Sequence, residues 1–231
     1  MSDSLLHDPR ADGLSRSARL LLRRPRPRYR GLLHRWAGIS SIAAGLVLVL
    51  SAKDATAVGA TIVFSLGATA MLGVSAVVHA RDWPIERVEL LVRLDHSAIF
   101  LMFATSATPV ALLALDGHQS TVLFWFAWVG ALLGIAAEWV PVHPPAGIMN
   151  AAYLIFGCSF LLFMPWLWDA LSTAQIWLLL GGGAAYFVGS LIVGSQRPDP
   201  WPDRFGYHEI WHVLVVTAAV SHYIMVTQLA R

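Results

Sequence analysis

The chain has 231 residues, 57% of them hydrophobic and only 13% charged, with a mean hydropathy of +0.62. Soluble domains run about 45–50% apolar and about 25% charged, so these figures exclude an ordinary soluble protein, intrinsic disorder and a collagen-like chain. A bilayer-spanning helix takes about 20 apolar residues, so seven would use roughly 140 positions and leave room only for a tail and short loops.

The first 35 residues hold nine of the 16 Lys and Arg residues. This basic segment, 1–35, suits an anionic membrane surface better than nucleic acid. It is not a secretory signal, because its apolar run is confined to 20–22 and Asp3, Asp8 and Asp12 precede it. Within it, LSRSARLLLRR at 14–24 reads either as a basic amphipathic helix on the inner leaflet or as a solvated tail.

Seven stretches free of Lys, Arg, Asp and Glu follow, at 36–52, 55–78, 97–115, 119–137, 144–168, 170–196 and 213–230. Their lengths suit spanning helices with some tilt, and no ten-residue alternation of membrane strands is present. The predicted fold is an all-α membrane protein, a seven-transmembrane-helix bundle over 36–231. Basic residues fall on the N-terminal side of the spans except Lys53 and Arg231, so the N-terminus is expected in the cytoplasm and the C-terminus outside, in a bacterial cytoplasmic membrane. QRPDPWPDRFG at 196–206 is too rich in proline for continuous helix. Cys158, the single cysteine, lies in an apolar stretch and excludes an internal disulfide and a CxxC site.

Ionisable residues at membrane depth are costly and mark candidate functional sites. With that orientation, His79 ends the second span, Asp95 precedes the third, and His208 and His212 open the seventh, all at the inner level. His208 and His212 are four residues apart and share one helix face, as do Ser75 and His79. Three imidazoles with an open fourth position form a catalytic zinc arrangement. Asp95 is placed to hold a water there or to orient an imidazole.

The segments SAVVH at 75–79, RLDHSAIFLMFATSATP at 93–109, and FGYHEIWHVLVV with SHYI across 205–224 resemble the hemolysin III family, within the progestin and adipoQ receptor superfamily. The resemblance covers nearly the whole chain from about Arg26. It implies a seven-helix bundle with Zn2+ near the cytoplasmic face, held by His79, His208 and His212, with Asp95 and Ser75 beside the metal and its water. The wider grouping is similar to alkaline ceramidases, which hydrolyse lipid amides. Family members often carry a Glu and an Asn ahead of the first span; in YRGLLHRWAG at 29–38 the following His is matched by His34, but the Glu and Asn are absent.

The expectation is therefore a zinc-dependent hydrolase of a membrane lipid-like amide or ester, with a sensor carrying structural zinc and a pore as alternatives. HEIWH also fits the H-E-x-x-H protease signature, but the further carboxylate this would need, Asp116, is predicted on the outer side. Glu209 is expected to point away from the two histidines toward water or headgroups. His222 is expected to hydrogen-bond between helices, His96 to be structural, and Glu138 to line a cavity or pair with an arginine. His143, in an inner loop, is expected to be solvated.

Overall fold

A computed structural model describes residues 12–22, 26–142 and 147–231. His7, Arg10, Arg23, Arg24 and His143 lie outside the described residues. Helix α1 (Arg16–Leu22) is followed by α2 (Leu32–Leu50), α3 (Ala55–Val78), α4 (Ile85–Ala114) and α5 (Gly117–Glu138). Then come α6 (Ile148–Cys158), a 3-10 turn (Ser159–Phe163), α7 (Met164–Ala170), α8 (Thr173–Ser195) and α9 (Tyr207–Ala230). Among the described residues, seven helical segments are long and apolar enough to cross a membrane, with α6 to α7 counting as one. The protein is an integral membrane protein built almost wholly of helix.

Local sequence explains the boundaries. The Asp54 carboxylate accepts from the Ala57 N–H at 2.8 Å and caps α3. Ser172 and Gln175 form a reciprocal capping box that starts α8. Pro165 has no N–H to continue a regular ladder, and the chain tightens into the 3-10 turn just before it. The Pro-rich 196–206 stretch forms no helix and closes on itself through a Trp201–Phe205 bridge.

Helices α3, α4 and α9 form the centre of the bundle, and α9 touches α2, α3, α4 and α8. In lipid, close packing rather than water exclusion holds helices together, so small residues mark the tightest crossings. Gly67 is one: a Cβ there would overlap the Thr105 side chain of α4. The main core joins Leu48, Phe64, Met71, Met102, Leu123, Leu167 and Met225.

Two helices begin six or more residues before their charge-free stretches. The third span extends back from 97 to Ile85, and the seventh from 213 to Tyr207. Absence of charge marks only the part expected in hydrocarbon, whereas the helix continues where charges find partners; Arg93 and Glu89 pair at 2.9 Å, four residues apart. Asp95, His208 and His212 thus stand on regular helix. Within the 14–24 segment, residues 16–22 form the helix α1, which buries Ala18 and Leu22 against Ile85, Val88 and Val92 of α4. The Ser15 N–H donates to Glu89 at 2.9 Å beside it.

Candidate metal centre

His79 is the residue that caps the C-terminus of α3, its N–H bonded to the Ser75 carbonyl at 3.0 Å. His208 and His212 occupy the first two turns of α9. Its start is fixed by Glu209, whose carboxylate accepts the Gly206 N–H at 2.8 Å. The three imidazoles converge although 129 residues separate His79 from His208. The Nε2 atoms of His79 and His208 stand 3.2 Å apart, and ring centroids are 4.6 Å apart for His79–His208 and His208–His212 and 4.9 Å for His79–His212. One nitrogen from each lies within 4.8 Å of the others, and His79 and His212 are buried.

Asp95 places Oδ2 3.9 Å from His79 Nε2, and Ser75 lies close enough to act on the same carboxyl group. All five residues singled out by spacing and resemblance therefore lie in one cluster. Two nitrogens held about 2.0–2.1 Å from a tetrahedral cation stand about 3.3–3.4 Å apart. The 3.2 Å spacing between His79 and His208 fits that edge, and neutral imidazole is a suitable zinc donor. The buried histidine trio can thus bind a metal ion.

The structure adds residues to which sequence reasoning gave no role. His34, on α2 and 2% exposed, stacks its ring on His212 with centroids 3.8 Å apart and planes 13° from parallel. Its match in the first-span motif was the only signal. Glu209 corrects an expectation: it faces neither water nor headgroups but is 3% exposed and pairs with Arg30 at 2.5 Å. The capping bond folds its side chain back over the first turn of α9, where Arg30 meets it.

A cavity of about 720 Å³ opens beside the histidines. Its walls are largely apolar and include Met102, Phe103, Leu179 and Met225, while His79, Asp95 and His208 line it as well. Glu138 does line this cavity, and its side chain accepts from the Tyr153 hydroxyl and pairs with His96 Nδ1 at 3.3 Å. Arg93 reaches the backbone carbonyl of Glu138 instead, at 2.5 Å. The structural role expected for His96 is therefore this bond. His222 packs on α8 where Gly182 leaves room, but neither ring nitrogen makes a hydrogen bond of normal geometry, so the interhelical contact is present without the expected bond. Asp116 is exposed and precedes α5, beyond the far end of the 30-residue α4 from the Asp95 end. It cannot complete a protease site with His208.

The family described as Haemolysin-III related matches residues 22–223. The chain belongs to this family. A Hemolysin-3 from Bacillus cereus is 29% identical over 189 residues, covering 80% of this chain and 83% of that protein. Heptahelical transmembrane protein 4 of Arabidopsis thaliana is 30% identical over 176 residues, covering 68% of this chain. An adiponectin receptor protein of Drosophila melanogaster is 26% identical over 184 residues, covering 72% of it. The Haemolysin-III related chain thus falls within the progestin and adipoQ receptor superfamily. It spans most of the bacterial relative but only 45% and 41% of the plant and fly proteins.

Proposed function

We propose that this protein is a zinc-dependent hydrolase of a lipid-like amide or ester, reached from the inner leaflet of a bacterial cytoplasmic membrane. The observation that carries the reading is the convergence of three imidazoles and one carboxylate at the wall of an apolar cavity. His79, His208 and His212 would hold the ion. Bound zinc supplies Lewis acidity, which brings the pKa of water toward neutrality and polarises a carbonyl.

The chain's own residues do the rest. Asp95 accepts the proton of the attacking water at its carboxylate, and the Ser75 hydroxyl positions that water or stabilises the developing oxyanion. The apolar walls, with Met102, Phe103, Leu179 and Met225, receive an acyl chain and exclude bulk water. Charge bias across the spans supports a cytoplasmic N-terminus, which puts the histidines at the inner leaflet. Reporter fusions to the C-terminus test that direction; activity of a cytoplasm-only reporter there would reverse it.

Metal content by mass spectrometry on detergent-purified protein is the first test, with His208→Ala/His212→Ala beside wild type. About one zinc per wild-type chain, lost in the double variant, supports the site. Carefully prepared wild type without metal defeats it. A long-chain N-acyl amide then tests turnover.

A further inference from the structure

Between α1 and α2 the chain crosses the histidine-bearing end of the bundle as segment 26–31. It grips both elements that supply the imidazoles. On the α3 side, Arg26 donates to the His79 backbone carbonyl at 2.7 Å and pairs with Asp82 at 3.0 Å. Gly31, in the left-handed region at φ +74°, sits against His79 so closely that a Cβ would lie 2.7 Å from both its Cβ and its carbonyl oxygen. On the α9 side, Arg30 Nε reaches Glu209 Oε1 at 2.5 Å, with the two side chains 14% and 3% exposed. The N–H groups of Arg28 and Tyr29 bond to the carbonyls of Asp203 and Arg204, at 3.0 and 3.2 Å, in the loop that leads into α9.

We propose that segment 26–31 is a clamp that sets the distance between His79 and the His208–His212 pair, with Arg26, Arg30 and Glu209 acting as positioning residues for the metal. The inference rests on the zinc reading and adds to it what holds the donors in register. His79 is the C-cap of α3: its N–H makes the last ladder bond, to the Ser75 carbonyl, but its own carbonyl lies beyond the ladder and is taken by Arg26. Helix α3 also meets α9 far less than it meets α2 and α4. Bundle packing alone therefore leaves the spacing of the donors loosely set, whereas a tetrahedral site tolerates only about half an ångström. The clamp supplies the missing constraint.

Charge gives the clamp a second duty. Arg30 lines the same cavity as His79 and His208, and its guanidinium alone would repel a dication held there. Glu209 cancels that charge at contact distance. Removing one partner of a buried pair leaves the other uncompensated, so the two variants should differ in a definite order.

The test uses the full chain in detergent, with zinc alone as the probe and its dissociation constant read by competition with a chromogenic chelator. Arg26→Gln and Arg30→Gln should each weaken zinc binding by about tenfold or more. Glu209→Gln should weaken it further, because a free guanidinium then faces the ion. Arg30→Gln/Glu209→Gln should lose no more than Glu209→Gln alone, since pair members act as one unit. Melting curves without zinc report folding; if the buried-pair variants do not fold, Arg26→Gln, whose partner Asp82 is exposed, decides the matter. Wild-type affinity in Arg26→Gln, or in a folded Arg30→Gln, overturns the clamp, as do losses that multiply in the double variant. Zinc bound by wild type and by every variant alike removes the clamp and leaves the metal site standing. A wild type that binds no zinc removes both.

Discussion

Truncating His34 probes whether the ring beneath His212 is needed as a shape or as a ligand. The His34 imidazole is 2% exposed, lies parallel to His212 with centroids 3.8 Å apart, and has no hydrogen-bond partner of normal geometry at either nitrogen. Its contribution is therefore packing. His34→Ala forfeits the stack and leaves a void beneath a candidate ligand, a loss of about 2–3 kcal/mol for a ring of this size. His212 can then tilt into the space, and zinc affinity should fall with stability. His34→Phe refills the volume and restores a stacking face without any nitrogen, so its cost should stay under about 1.5 kcal/mol. The assay is thermal unfolding in detergent, with and without a chelator, beside zinc content per chain. The alanine variant should melt lower and hold zinc weakly, and the phenylalanine variant should follow wild type in both. If Phe loses zinc as fully as Ala, a nitrogen of His34 is itself required and the packing account is refuted. An alanine variant that matches wild type would show that the stack positions nothing.

Chelating zinc from wild type should lower the melting temperature, because an ion bound only by the folded state stabilises it by mass action; His208→Ala/His212→Ala should melt at the chelated value and ignore the chelator. Asp95→Asn should retain zinc while amide turnover falls about 10²–10⁴-fold, as expected for a lost general base, and unchanged turnover would remove Asp95 from the chemistry. Gly31→Ala should destabilise the fold by about 1–2 kcal/mol from the left-handed backbone alone. It should also displace His79, seen as weaker zinc binding; an intact affinity would show that this contact is slack. Tyr153→Phe leaves the Glu138 carboxylate one donor short and should cost about 1–3 kcal/mol in unfolding experiments, with zinc content unchanged.

Much of the architecture is legible in the residues themselves. Stretches without charge give the seven spans, because no unpaired ion is stable in hydrocarbon, and their order needs no three-dimensional information. The i, i+4 spacing of His208 and His212 places them on one face before any packing is known. Helix ends are less legible: α4 begins twelve residues before its charge-free stretch, since Glu89, Arg93 and Asp95 find partners that no local pattern announces.

Glu209 shows the same limit at the site. One residue from His208, it lies off the ligand face by helical periodicity, and periodicity assigns such a position to solvent. Its burial depends on Arg30, 179 residues away in the chain, and on a capping bond that turns the side chain back. His34 likewise gains meaning only when α2 and α9 meet and bring two rings to 3.8 Å.

Composition and spacing by themselves determine the membrane class, the number of spans and the set of residues able to act as metal donors, because these follow from the cost of transferring groups into hydrocarbon and from helix geometry. Tertiary structure alone decides that His79 meets His208 and His212, that His34 backs them, that Arg30 and Glu209 close the pair beside them, and that a 720 Å³ cavity adjoins the cluster. Those are contacts between helices distant in the chain, and their energies depend on side-chain shapes and charges that come together only once the bundle has packed.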